Sequence, residues 1–418
     1  MSGSETPSAS PDPVETAVPA AGLDRKIILI STNFGQNMGG EAIKAYQYAK
    51  YLEARGYELL IITHGRCRKE VEAEFAPERY WIIDDDWVQV LLWKSVFLRT
   101  FLNIWFHVLV RRRIQAAGLD PKTHILHFIG PVSPVAVRLP APGFDVVMGP
   151  FTGNIYYPPA FRHRMPLKDR LRESLHVVSQ WTFGKIFGDK RRAKAVLVSG
   201  YERTRASLSL AGCSDEQMID VVDAGVSERL CALPRVAHDG DNPAFMCSGR
   251  LVDHKGVDLA IKAIAKCPPE IRLDVFGDGV KRGEWEQLAR DLGVTDRVRF
   301  LGWQPYDDLI ASFANYRGYL FPSLAEANGI VMQEAMMIGL PVVTVRWGGP
   351  SRLAADDSAM YIDPVDEDHV VAGIADALQK LAGDPALAEE ISLKARRIAE
   401  TRFLWDAVAA SWAEAYRA

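Results

Sequence analysis

The sequence has no C-x-x-C pair and no cysteine–histidine cluster at metal-ligand spacing. Its five cysteines, Cys67, Cys213, Cys231, Cys247 and Cys267, are scattered and odd in number. That pattern gives no disulfide framework, suits a reducing compartment and offers no structural zinc site. Nor is there an excess of one charge. The 49 lysines and arginines meet 53 acids for a formal charge of −4, which argues against a general nucleic-acid binder. No run reaches the roughly 18 uncharged apolar residues of a spanning helix, so a cytoplasmic location is expected. Two nucleotide fingerprints are missing as well. There is no G-x-x-x-x-G-K-[ST], and the first turn, Asn33-Phe-Gly-Gln-Asn-Met-Gly-Gly40, lacks the G-x-G-x-x-G spacing. A P-loop enzyme and a dinucleotide-dependent oxidoreductase are both disfavoured. The first 24 residues are rich in Ser, Pro, Ala and acids, with neither a basic start nor an apolar run. They read as a disordered tail rather than a signal peptide.

What is present is enough for two hydrophobic cores: 418 residues, 48% of them hydrophobic. An apolar run at 26–31 reads as a buried parallel strand. It enters a loop holding Gly35, Gly39 and Gly40, then a helix over 41–55 closed by Gly56 and a strand over 57–63. Strand, glycine loop, helix, strand is a βαβ unit. Further strands are expected at 125–129, 145–148 and 195–199. The pattern loosens at 233–243, read as a linker, and resumes with strands at 244–248, 272–276, 298–301, 318–321 and 341–345 and helices at 257–266 and 284–292. The expected class is α/β, with two Rossmann-like doubly wound domains (25–232 and 244–395) facing across a cleft at their strand C-termini. A last helix in 396–418 is expected to return to the first domain.

Three loops of the second domain carry chemistry. In Phe321-Pro-Ser-Leu-Ala-Glu-Ala-Asn-Gly-Ile-Val-Met-Gln-Glu334 a strand ends, Glu326 sits on the loop, and a helix begins near Gly329. The free N–H groups and dipole at that helix start suit a phosphate. Glu326 can accept from sugar hydroxyls and Glu334 from a ribose, although spacing alone favours a helix start bearing ordinary acids. In Ser248-Gly-Arg-Leu-Val-Asp-His-Lys-Gly256, Arg250 and Lys255 share one strand-to-helix loop. Both can reach a diphosphate, Arg through paired N–H bonds and Lys as a point charge; taken alone, two such cations are usually solvated surface. Phe276-Gly-Asp-Gly279 is another glycine turn at a strand end.

Together these segments resemble the retaining glycosyltransferases of family 4, which have the GT-B fold of two facing Rossmann-like domains. The residues carrying the match are Gly249-Arg-Leu with Lys255-Gly256, Gly277-Asp-Gly279, and the pair Glu326 and Glu334. Gly339-Leu-Pro-Val-Val343, Gly348-Gly-Pro350, Phe403-Leu-Trp405, Gly39-Gly40 and Arg55-Gly-Tyr-Glu58 add to it. The resemblance implies that Arg250 and Lys255 neutralise the donor diphosphate, Glu326 holds the donor sugar and Glu334 the ribose. N–H groups around Asn328, Gly329 and Ile330 face the phosphates, and Gly39 and Gly40 close over them. His127 resembles the family's active-site histidine; His124 competes for that place, and a buried structural histidine is the other reading of either. The activity implied is hexosyl transfer from a UDP- or GDP-linked sugar with retention of configuration. The donor sugar nucleotide is a co-substrate, and neither a cofactor nor a metal is expected, because two cations and a helix start meet the leaving charge. Arg250, Lys255 and the glutamate pair favour transfer over a nucleotide-sugar epimerase. Asn328 stands where many members carry an aromatic, Ser227 where they carry Asp, and 356–360 lacks a usual glycine, which leaves donor and acceptor open.

The acceptor side is basic and aromatic. Residues 87–113 mix Trp, Leu, Val and Phe with Lys94, Arg99 and Arg111–Arg113 and include no acid. This suits an interfacial membrane anchor and, equally, a core helix with a solvated basic end. A second basic run spans 161–172. With His127-Phe-Ile-Gly-Pro-Val-Ser-Pro134 and Gly149-Pro-Phe-Thr-Gly-Asn-Ile-Tyr-Tyr-Pro-Pro159, it resembles a bacterial subgroup that builds surface polysaccharides on lipid carriers. The resemblance implies a lipid-linked glycan acceptor and contact with the inner face of the cytoplasmic membrane; a small soluble acceptor is the alternative. Asp84–Asp86 reads as a polar surface turn rather than a metal motif.

Overall fold

The computed structural model describes residues 24–417 apart from 37, 95–97, 154, 241 and 356. All but the last residue of the expected tail therefore lies outside the described residues.

The first domain begins β1 (Lys26–Ser31), α1 (Gly40–Ala54), β2 (Leu59–His64), α2 (Arg68–Glu74) and β3 (Tyr80–Ile83). Two helices follow, α3 (Trp87–Lys94) and α4 (Leu102–Ala116), then β4 (His124–Phe128) and β5 (Asp145–Phe151). It continues with α5 (Leu167–Ile186), β6 (Ala195–Val198), α6 (Tyr201–Leu210), β7 (Met218–Asp220) and the short α7 (Glu228–Cys231). The second domain alternates β8 (Ala244–Ser248), α8 (Val257–Lys266), β9 (Arg272–Phe276), α9 (Arg282–Asp291), β10 (Val298–Gly302) and α10 (Tyr306–Ser312). Then come β11 (Gly318–Phe321), α11 (Ile330–Ile338), β12 (Val342–Val345), β13 (Met360–Ile362), α12 (Glu367–Gly383) and α13 (Pro385–Arg402). The final helix is α14 (Trp405–Ala413).

Each domain has one all-parallel sheet, ordered β3-β2-β1-β4-β5-β6-β7 and β10-β9-β8-β11-β12-β13. The central strands are mainly apolar because helices cover both faces. Ile27–Ile30 have no exposed surface, and successive residues divide between two cores, Ile27 and Leu29 in one and Ile28 and Ile30 in the other. Both sheets turn direction beside their first strand, so the adjacent loops splay and open a crevice at the strand C-termini. The strands β3, β7 and β13 had no counterpart in the sequence reading. Each lies at or near a sheet edge and has only three or four residues, too few for periodicity to register.

The chain crosses between domains twice, and the crossings run side by side: Val226 N donates to Phe403 O at 2.7 Å, and Val226 bridges Leu404. The stretch 233–243 is strapped to the second domain, since buried Arg317 donates to the carbonyls of His238, Gly240 and Asn242. After Arg402 the chain returns, and Val408, Ala409 and Trp412 of α14 join Ile27 and Ala49 in the first domain's core. Segment 87–113 divides. Helix α4 buries Phe106 and Val110 against β4 and β5 residues, whereas α3 leaves Trp87 and Trp93 largely exposed.

Candidate active site

Close backbone contact shapes the second-domain side of the cleft. The loop after β8 meets the loop after β9 at Gly277, whose φ is +111° and where a Cβ would stand 2.0 Å from the Gly249 carbonyl oxygen. Only glycine fits there. That contact fixes the loop bearing Arg250 and Lys255, which line one crevice with Ser248, Ser323 and Phe321. Arg250 is exposed at the rim and has no ion-pair partner among the described residues. Lys255 is half-buried; its Nζ pairs with Glu326 Oε2 and lies 5.5 Å from the centre of the Phe321 ring.

The Glu326 loop is held from behind. Gly349 N donates to Glu326 O at 3.0 Å, and a Cβ on Gly349 would fall 1.8 Å from Ala327 O. The loop ends at Gly329, in the left-handed region at φ +81°, and α11 starts at Ile330. The first N–H groups of a helix have no intrahelical acceptor, and at this end they are the amides that follow Gly329. Asn328 Oδ1 accepts from buried Gln333 at 3.4 Å, which turns the amide back towards the helix.

One turn further, Glu334 is buried and accepts from the Tyr306 hydroxyl at 2.8 Å. Burial pushes its carboxyl up to about 7, against an opposing pull from Tyr306. A carboxyl raised above its unfolded value of 4.5 costs nothing below that pH, and it subtracts stability as pH rises through about 7. Glu334→Gln is therefore expected to gain on the wild type between pH 5 and pH 8, by roughly 3 kcal/mol at most. Denaturant unfolding at the two pH values checks this, and an unchanged difference would mean the carboxyl does not titrate in that window.

Across the cleft, α1 begins at Gly40 with Gly39 at φ +92°, and a Cβ on either glycine would meet open space. Glu41, next in the chain, lines an interdomain cavity of about 580 Å³ together with Ser133, Tyr156, Asp169 and His176 from the first domain. The second domain contributes His254 and Ala325, the neighbours of Lys255 and Glu326. The domains are latched beside it: Arg164 pairs with Asp258 at 2.5 Å, and Trp347 Nε1 donates to Tyr156 O at 2.7 Å. Desolvation and the adjacent Lys255 push the His254 imidazole down, towards its neutral form.

The structure thus brings Arg250, Lys255 and Glu326 together, with Asn328–Ile330 two to four residues further along the Glu326 loop; Gly39 and Gly40 immediately precede Glu41, which lines the interdomain cavity from the first domain. It does not bring His127 there. Side chains alternate along β4, and the ring of His127 is fully buried on the face covered by Tyr48 of α1 and by Tyr416, just beyond α14. Nε2 lies 2.9 Å from Gly149 O, which can only accept, so Nδ1 accepts from the Tyr416 hydroxyl at 2.7 Å. Both nitrogens are committed, and burial lowers the imidazole to about 4. His124, its competitor, sits at the opposite end of the strand, beside Asp120. Asp84–Asp86 are spoken for by Arg68, His64 and the Trp105 indole. Sequence reasoning missed His254, Tyr306 and the Tyr156–His176 wall; His254, between Asp253 and Lys255, was the one within reach of a motif.

Residues 233–397 match the family described as glycosyl transferases group 1. A relative in Rhizobium meliloti, lipopolysaccharide core biosynthesis glycosyltransferase LpsE, is 32% identical over 183 residues, covering 43% of this chain and 52% of that protein. The D-inositol 3-phosphate glycosyltransferase of Xylanimonas cellulosilytica is 28% identical, covering 56% and 60%. The chain spans about half the length of the curated relatives it matches. The crystal structure of Anabaena HepE in complex with UDP superposes with a TM-score of 0.62 at 18% identity, covering 93% of this chain and 98% of that one. The fold is GT-B.

Proposed function

We propose that the protein is a retaining glycosyltransferase of family 4 that moves a sugar from a UDP- or GDP-linked donor to a lipid-linked glycan in bacterial exopolysaccharide or lipopolysaccharide biosynthesis. Arg250 and Lys255 share one crevice, and Lys255 pairs with Glu326 on the loop that leads into α11; that arrangement carries this reading. As the bond from the anomeric carbon to the diphosphate breaks, negative charge gathers on the leaving oxygens. Two fixed cations and aligned N–H groups meet that charge without reorganising. Glu326, oriented by Lys255, accepts from the donor sugar hydroxyls, and Glu334 accepts from the ribose. Gly39 and Gly40 cover the phosphates from the first domain. The acceptor enters through the interdomain cavity, which is lined by Asp169, His254 and Ala325, the residue before Glu326. Basic, aromatic parts of 87–113 and 161–172 keep the enzyme at the inner face of the cytoplasmic membrane.

The names of the matched relatives support sugar transfer in glycan biosynthesis, and the UDP bound in the similar fold suits a nucleotide donor. A thermal-shift series with UDP, GDP and their common sugars tests it. One nucleotide held a hundredfold above its Kd is expected to stabilise the protein by about 2.7 kcal/mol, with the gain reduced in Arg250→Ala. If the wild type responds to no nucleotide, the donor reading fails; NMR of the product anomer decides retention.

A further inference from the structure

Helix α5 has two unlike faces. On one, Asp169 and His176 line the interdomain cavity, and buried Gln180 donates to Pro134 O at 3.1 Å. On the other, Leu167, Leu171, Leu175, Val178, Trp181 and Ile186 are each 54–80% exposed. At 3.6 residues per turn these six fall within about 140° of the circumference. So broad an apolar stripe normally faces a core, and here it faces out.

Charge says what covers it. Between Arg162 and Arg192 the chain carries nine lysines and arginines against three acids, although the whole protein is net negative; Arg164 and buried Lys190 are taken up by Asp258 and Asp189, and the others lie along the helix and its flanks. Lys185 lies on the stripe itself, and Arg170 borders it. A broad apolar face edged with cations, including a tryptophan, is the chemistry of a helix lying in the headgroup layer of an anionic bilayer. Among the described residues no helix is long and apolar enough to cross a membrane, so α5 lies in the surface plane. Trp87, Leu91 and Trp93 of α3 are similarly exposed, and Trp93 lines a cavity with His64 at the end of β2 and Asp85 just after β3.

We infer that α5 docks the enzyme on an anionic lipid surface through this stripe while its opposite face forms a wall of the acceptor cavity. One helix then sets the height of the cavity above the bilayer, so that a headgroup reaches it while its lipid stays in the membrane. What the cavity takes rests on the lipid-linked acceptor reading above; the docking face is read from α5 itself.

The test sediments the full-length protein with phosphatidylcholine vesicles, with and without phosphatidylglycerol, beside the triple variant Leu171→Gln/Leu175→Gln/Val178→Gln. These exposed substitutions keep every charge. The wild type is expected to bind the anionic vesicles, and the variant to bind them roughly tenfold or more weakly, with its melting temperature and nucleotide-induced shift unchanged. Equal binding by the variant overturns the docking face by assigning adsorption to charge alone. A dimer in the wild type that is lost in the variant, with vesicle binding unaltered, overturns it in favour of a second copy of the chain. A wild type that binds vesicles but responds to no nucleotide upholds the docking face and counts only against the donor reading.

Discussion

Replacing Lys255 with alanine is expected to lower kcat/KM by about 10²–10³-fold, most of it in kcat, with little change in stability. The ammonium is half-buried between Glu326 and the Phe321 ring, where water screens it less than at the open rim. Its charge counts most when the diphosphate departs, because the leaving oxygens gain charge in the transition state. An interaction that strengthens on the way to the transition state lowers kcat when removed, whereas uniform binding would raise KM alone. Alanine also leaves the Glu326 carboxylate unneutralised against an incoming diphosphate, which adds to the loss. Lys255→Arg keeps the charge but not the compact geometry, so partial recovery is expected. Combining Lys255→Ala with Glu326→Gln is expected to cost less than the product of the two single effects, since the groups act as a pair. Steady-state kinetics of the four variants, Lys255→Ala, Lys255→Arg, Glu326→Gln and the double, check this. A Lys255→Ala enzyme within threefold of wild-type kcat would remove the lysine from the leaving-group site.

Trp412→Ala is expected to destabilise the first domain by about 3–5 kcal/mol. Trp412 is fully buried, packs on Tyr48 at 5.0 Å between ring centroids, and donates from Nε1 to Val222 O at 2.9 Å. Truncation removes that contact area, opens a cavity and deprives the part-buried Val222 carbonyl of its donor. The loss is aimed at the junction where α14 returns beside the interdomain crossing, so the first domain is expected to melt separately from the second. Denaturant unfolding followed at two wavelengths would show the split. A shift under 1 kcal/mol would mean that α14 is peripheral to that core. Tyr416→Phe breaks only the hydrogen-bond chain from Tyr48 through Tyr416 to His127 and is expected to cost less.

His127 marks the limit of what a strand can say about itself. Its position near the end of β4 was legible, and so was the alternation that puts successive side chains on opposite faces. Which face would be covered was not, because the cover is Tyr416, brought back from the far end of the chain. A similar limit applies at 87–113. Composition treats the stretch as one apolar, basic unit, yet α4 lies on the sheet and α3 does not. Helix α5 was seen only as a cluster of charges, since its apolar residues turn outward and imitate a buried stripe.

Features that depend on near neighbours follow from the order of residues. Apolar runs set the parallel strands, glycines set the turns at their C-termini, and short loops brought Arg250 within five residues of Lys255 and Glu326 within four of the α11 start. Tertiary structure alone decided how groups distant in the chain meet: Lys255 with Glu326, Glu334 with Tyr306, and His254 with Asp169 and His176 across the cleft. Local propensity acts over a turn or a strand pair, so it leaves a pattern in the order of residues. Contacts between domains form only when separate sheets pack and the chain returns through α14, and no spacing in the sequence encodes that distance.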